Sequence, residues 1–255
     1  MRFASLGSGS KGNALLIESD GARILIDCGF SARDTVKRLA RLSVSPDEVD
    51  AVLVTHEHGD HASGVFGFCG RFGIPVYMTK GTRRGACKWG DAPAALHLID
   101  SHRAFSIKDL DVTPFPIPHD ALEPVQFAVS DNRHCLGVLT DAGKVTPHIA
   151  RVLEKCDALV LECNHDVEML TCSDYPAQLK RRIFGEFGHL SNDQAAAFLQ
   201  SLGTARLQHV VAAHLSEQNN RPELALSALA AVLDGCAARL DAAYQKEGFS
   251  WRELV

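Results

Sequence analysis

Residues 54 to 64 read V-T-H-E-H-G-D-H-A-S-G. They place His56, Glu57, His58, Asp60 and His61 within six positions, directly after the apolar run A-V-L-V of residues 51 to 54. Imidazole nitrogens and a carboxylate at that density suit zinc, and also manganese or iron. A loop leaving a strand can turn His56 and His58 to one side, and a helix opening near Ala62 can present Asp60 and His61 to the other. Each pair is then half of a coordination shell, so the spacing provides for two divalent ions. Two such ions about 3.5 to 4 Å apart can activate a water and polarise a carbonyl or phosphoryl oxygen. A histidine-rich surface loop would have no need of the buried strand in front of it.

The elements that must position this cluster are legible as apolar runs between turn signals. In the first half, residues 2–6, 13–18, 23–27 and 51–54 read as strands, the first three separated by G-S-G-S-K-G and S-D-G-A. Ser31, with Asp34 three residues later, opens a helix carrying Val36, Leu39 and Ala40 on one face. Further strands are expected at 75–78, 95–99, 112–117, 125–129, 135–140 and 158–162, with a helix begun by Thr146 and Pro147 between the last two. The later part reads as mainly helical: one helix after S-D-Y-P (173–176), one after Ser191 with Gln194 completing a capping box, and one from about Pro222. A last buried strand is expected at 209–213. No repeat, low-complexity segment or linker stands out, so residues 1–255 read as a single layered α/β domain with many strands.

Composition narrows the class. At 46% hydrophobic the chain is ordinary globular material, and its net charge of −5 comes with no basic tail. A basic groove on an acidic protein can still bind nucleic acid. No secretory signal is expected, because the N-terminus breaks into Gly and Ser, and no run approaches the roughly 18 apolar residues of a membrane span. Cys28, Cys69, Cys87, Cys135, Cys156, Cys163, Cys172 and Cys236 form no C-x-x-C pair and read as reduced thiols of a cytoplasmic protein.

The stretch from Thr55 to His61 resembles T-H-x-H-x-D-H, the signature of the metallo-β-lactamase-fold hydrolases. That resemblance implies an αββα sandwich, two mixed β-sheets face to face with helices on the outer faces and the metals at one edge. It also implies further ligands in chain order. P-I-P-H-D-A supplies His119, L-T-D-A-G supplies Asp141, and V-V-A-A-H-L-S supplies His214, each ending an apolar run. By the family pattern, one site is His56, His58 and His119, the other is Asp60, His61 and His214, and Asp141 bridges them. The turn Asp27-Cys28-Gly29 matches the family's I-D-x-G, where Asp27 braces the loop instead of binding metal. Flavodiiron oxidoreductases carry Glu at the motif's second position; His58 stands there and argues for hydrolysis.

Three more stretches bear on the substrate. L-E-C-N-H-D carries Glu162, Asn164 and His165, F-G-H-L-S-N carries His189, and A-H-L-S-E-Q-N-N surrounds His214. They resemble the nuclease branch of the superfamily, the ribonuclease Z and ribonuclease J types, in which an acid orients a His that protonates the leaving oxygen. Glu162 and His189 match those roles, and only 26 residues separate them, so the long insertion of ribonuclease J is absent. Together with S-L-G-S-G-S-K-G-N near the N-terminus, these pieces are similar to the compact bacterial YycJ/WalJ group. The resemblance implies a 5′-to-3′ exonuclease acting on DNA and linked to repair, working with two divalent ions, zinc or manganese. Asp60, Glu162 and His189 are then the catalytic residues, and Asn164, His165 and Ser10 the substrate contacts. G-S-G-S-K-G-N is no Walker A loop, since strand-like residues follow it; its glycines need only a tight turn. Arg83, Arg84, Lys88, Lys180, Arg181 and Arg182 read as solvated helix faces or as a rim that tracks DNA. Two rivals stand beside this reading: a small-molecule metallohydrolase of thioesterase or lactonase type, and a module that binds nucleic acid without cutting it. Oligomeric state has no signal in the sequence.

Overall fold

A computed structural model describes residues 1–255. The strands are β1 (Arg2–Gly7), β2 (Ala14–Glu18), β3 (Arg23–Ile26), β4 (Ala51–Leu53), β5 (Val76–Thr79), β6 (Leu96–Ile99), β7 (Phe105–Ile107), β8 (Leu110–Pro116), β9 (Val125–Ser130), β10 (Cys135–Leu139), β11 (Ala158–Glu162), β12 (His209–Ala213), β13 (Arg239–Ala242) and β14 (Phe249–Glu253). The helices are α1 (Ala32–Arg41), α2 (Gly59–Ala62), α3 (Val65–Phe72), α4 (Lys80–Ala86), α5 (Pro147–Leu153), α6 (Val167–Cys172), α7 (Ala177–Phe184), α8 (Asn192–Leu202) and α9 (Pro222–Val232). No helix is long and apolar enough to cross a membrane.

The strands form two seven-stranded sheets, ordered β14-β1-β2-β3-β4-β5-β6 and β13-β12-β11-β10-β9-β8-β7. Each is mixed. In the first sheet β3 to β6 run parallel, while β14, β1 and β2 pair antiparallel. In the second, β10 to β13 run parallel, while β7 to β10 are antiparallel. Alternation along each strand builds the layers, because successive side chains point to opposite faces. Ile24 and Ile26 of β3 enter the core between the sheets, where they meet Val138 and Val160 of the second sheet. Leu25, between them, joins the outer core under α1 and α3 with Leu39, Phe68 and Cys69. Leu159 and Leu161 of β11 pack outward against α5, α8 and α9 through Leu153, Phe198 and Leu229. The result is the expected αββα sandwich.

The caps read from sequence are present. Ser31 Oγ accepts from the Asp34 backbone N–H, Thr146 caps α5 with Pro147 at its first position, and Ser191 and Gln194 form a capping box at α8. Elsewhere the sequence misled. The C-terminal part holds the three expected helices, α7, α8 and α9, but also two strands that were not expected: β13 (R-L-D-A) and β14 (F-S-W-R-E), each closing an edge of one sheet. Charged residues blunt such edges, and so they also blur the strand pattern. β7, α4 and α6 had no expectation, and the helix placed near Ala62 is a turn at α2 followed by α3. β7 pairs only with Leu110–Val112, so β8 is an open edge beyond that point and tolerates Pro114 and Pro116.

Candidate active site

Strand direction gathers the site. Asp27 follows β3, His56 follows β4, His119 follows β8, Asp141 follows β10, Glu162 ends β11 and His214 follows β12. All lie at one edge of the sandwich, at or just beyond the C-terminal ends of strands, where the chain leaves the ladder and can turn. Three of these residues pay in backbone strain. Asp27, Asp141 and His214 have φ of 63°, 59° and 56°, a left-handed conformation that non-glycine residues seldom adopt. Gly29 is required for another reason: a Cβ there would lie 1.8 Å from the Asp60 carbonyl oxygen.

The structure brings the expected ligand groups together. His56, His58 and His119 have ring nitrogens within 4.8 Å of one another, as do the ligating atoms of Asp60, His61 and His214. Asp141 lies between the two sets, its oxygens 3.2 Å from His61 Nε2, 3.5 Å from His214 Nδ1 and 3.8 Å from His119 Nε2. Four rings are held by Nδ1. The Nδ1 of His61 donates to Asp27 at 2.7 Å, that of His119 to the Gly188 carbonyl at 3.3 Å, and that of His214 to Glu162 at 2.9 Å. His56 Nδ1 lies 3.0 Å from the Thr55 hydroxyl. Bracing of this kind fixes ring and tautomer and leaves Nε2 for the shared centre.

The donor set fits divalent ions. His56 Nε2 and Asp141 Oδ2 are buried with no hydrogen-bond partner, so two lone-pair donors are aimed into the cluster and left unsatisfied. The electrostatics agree. Burial, with the imidazoles of His61, His119 and His58, holds His56 well below the usual histidine range. Burial would do the same to His61 and His214. Asp141, Asp60 and Asp27 instead lift His61 well above that range, and Asp141, Asp60 and Glu162 lift His214 to about 10. Carboxylates crowded this closely call for positive charge, and a metal ion can supply it in place of protons.

Glu162, His189 and His214 share one junction. Glu162 is fully buried, and its Oε1 accepts from Nδ1 of both His189 and His214 at 2.9 Å. Its Oε2 accepts the backbone N–H groups of Ala142 and Leu190 at 3.0 and 3.1 Å. Burial would raise its carboxyl pKa, but the His189 and His214 rings hold it well below the usual range. The His189 side chain is 20% exposed and lines an open cleft of about 510 Å³ with His58, Asp60, Asp141 and His214.

Of the expected substrate contacts, Ser10 and Asn164 line this cleft. His165 does not. Its ring is buried edge-on against Phe184, at 5.1 Å between centroids, with both nitrogens unpartnered, which removes it from direct contact with a bound molecule. Several supporting residues escaped sequence reasoning. Ser8 Oγ accepts from His214 N at 2.9 Å, and the backbone N–H of Asn13 donates to the Asp60 carbonyl at 2.7 Å. The Gly-Ser loop therefore underpins the set of Asp60, His61 and His214. Glu57, inside the motif, accepts from Leu122 N at 2.9 Å and so ties down the segment that carries His119. Arg182 pairs with Asp120 at 2.5 Å, and Asp120 lies 3.5 Å from His119 Nε2.

Comparison with known proteins places this arrangement. Residues 22–214 match the family model described as the Beta-lactamase superfamily domain, a span that includes every residue of the cluster. The chain belongs to the beta-lactamase superfamily. It is a metal-dependent hydrolase of that fold. Among relatives in the superfamily, an exodeoxyribonuclease YycJ of Bacillus anthracis is 35% identical over 245 residues, 92% of this chain and 89% of that protein. An exodeoxyribonuclease WalJ of Streptococcus pneumoniae is 33% identical over 229 residues, covering 88% of this chain and 85% of the relative. The metallo-beta-lactamase fold protein YhfI of Bacillus subtilis superposes over 99% of both chains with a TM-score of 0.75 at 16% identity, a likeness of fold.

Proposed function

We propose that this protein is a 5′-to-3′ DNA exonuclease linked to repair, acting as one domain over residues 1–255 with two divalent ions, zinc or manganese. The ions would be held by His56, His58 and His119 on one side and by Asp60, His61 and His214 on the other, with Asp141 between them. When bound, they would supply a water activated at neutral pH and positive charge against the phosphoryl oxygens. His189 presents its Nε2 to the cleft and gives its proton to the leaving alkoxide. Glu162 fixes the His189 ring through Nδ1 and stabilises the imidazolium before transfer. Ser10 and Asn164, on the cleft surface, contact the strand. Asp60 belongs to both the metal set and the cleft floor and is essential to the chemistry.

The observation that carries this reading is the shared Glu162 oxygen, 2.9 Å from both His189 and His214. A thiolate is a better leaving group than a nucleotide hydroxyl and needs no such proton donor, so the pair favours cleavage of an ester with an alkoxide leaving group over a thioester. The names of the YycJ and WalJ relatives support DNA as the substrate. The test incubates protein loaded with Zn²⁺ or Mn²⁺ with end-labelled single-stranded DNA, double-stranded DNA and RNA, beside an Asp60→Ala control. Stepwise loss of DNA from the 5′ end, absent in the control, is expected. Turnover of a thioester or lactone panel with all three nucleic acids intact would overturn the proposal.

A further inference from the structure

The cleft volume of about 510 Å³ falls within the small-ligand range of roughly 300–1,000 Å³ and accommodates a nucleotide. Its walls come from different sheets. The connection after β5 contributes Lys88 and Trp89 from a 3-10 turn, Cys87–Trp89, and the segment around α7 contributes Tyr175, Leu179 and Arg182. Trp89 is held in place from two directions. Its Nε1 donates to the Glu57 carbonyl at 3.0 Å, and a Cβ at Gly59 would lie 3.1 and 3.2 Å from Cη2 and Cζ2 of the indole. The ring is therefore seated close against Gly59, the residue between His58 and Asp60, where a side chain would crowd it. Half-buried, the indole keeps part of its surface on the cleft. The exposed Lys88 holds its Nζ 5.1 Å from the ring centroid. On the other wall Asp120 fixes Arg182 Nε, and the Arg182 side chain is 57% exposed.

We propose that Trp89 and Lys88 form the subsite for an unpaired terminal nucleotide, the base stacking on the indole while Lys88 and Arg182 take its phosphates. This rests on the nuclease reading above and adds the form of nucleic acid that the site accepts. Stacking on an aromatic plane tolerates every base, because each has a π-face, and suits an enzyme that removes nucleotides in succession. A base within a duplex has both faces covered by its neighbours and its pairing edge bonded. Only a single-stranded or frayed end can place one base on Trp89 and the adjoining phosphate at the cluster.

The chain has a second tryptophan, Trp251, which lies under the Arg2 guanidinium at 4.2 Å and borders a different cavity. In a Trp251→Phe background, Trp89 is the sole tryptophan reporter. Metal-loaded protein is titrated with a fluorescently labelled, phosphorothioate-linked oligothymidylate that resists cleavage. Anisotropy of the label reports binding, and Trp89 emission reports stacking. The expected results are quenching that follows binding, affinity weakened roughly ten-fold by Trp89→Ala and largely restored by Trp89→Phe, and equally weak binding of an oligonucleotide with an abasic end. Tight binding without quenching, or equal affinity for abasic and intact ends, overturns the subsite and leaves the nuclease reading standing. Failure of any oligonucleotide to bind, with no DNA degraded, overturns both.

Discussion

Two buried carboxylates brace this site, one in each sheet, and they do unequal work. Asp27, at the end of β3, accepts from the Thr55 backbone N–H at 2.8 Å, from the Thr55 hydroxyl at 2.9 Å and from His61 Nδ1 at 2.7 Å. All its partners belong to one loop, Thr55 to His61. Glu162, at the end of β11, holds Ala142, Leu190, His189 and His214, which come from three separate connections. Their charges are set differently as well. Burial raises the Asp27 pKa despite His61 and Thr55, whereas two imidazoles hold Glu162 below the usual range despite complete burial. The half of the site written as one motif needs a single brace to its ring. The half gathered from distant strand ends depends on a carboxylate that serves several of them at once.

Removing the two braces separates these roles, and Glu162→Ala is expected to do the most harm. It strands two buried N–H groups, at about 1–3 kcal/mol each, and frees two rings. Metal affinity should fall and cleavage should drop by more than about 10³-fold, beyond the loss of a proton donor alone, as read by metal analysis and DNA degradation. Asp27→Asn keeps the size of the group and an acceptor oxygen. Its expected effect is a loss of metal affinity of about 10- to 100-fold, confined to the set containing His61. Sequential metal release under a chelator would show one ion leaving early; simultaneous release of both would break the comparison.

One buried histidine beside the site has no brace, and its effect falls on stability, not on metal binding. His165 lies three residues beyond Glu162, buried with both ring nitrogens unpartnered, and burial lowers its pKa from 6.5 to about 4. The unfolded chain therefore takes up this proton first as pH falls. Its contribution is intact above about pH 6.5 and is lost progressively down to about pH 4, by at most about 3 kcal/mol. Thermal melts of wild type and His165→Phe across that interval should diverge, with the variant less sensitive to acid. Parallel curves would show that the ring exchanges its proton without cost.

How much of this was legible in the sequence follows the same division. The contiguous motif declared His56, His58, Asp60 and His61 by spacing alone. His119, Asp141 and His214 were legible through the family resemblance, which asks for further ligands after later strands, and each follows such a strand. Glu162 and His189 were found as a pair, but the bond from Glu162 to His214 was not, since it depends on the parallel register of β11 and β12. The support from Ser8 and Asn13 was hidden for a similar reason: hydrogen bonds to His214 and Asp60 leave no mark on local pattern. β13 and β14 escaped because charged edge strands lack the apolar run that identifies a buried one.

The central claim is that His189, held by Glu162, protonates a leaving nucleotide, a role apart from metal binding. The most direct measurement is the rate of DNA degradation by His189→Ala protein whose metal content per chain has been shown equal to that of wild type. The account predicts a fall of roughly 10²- to 10⁴-fold with the metal complement unchanged. Degradation at the wild-type rate by the fully loaded variant would contradict it.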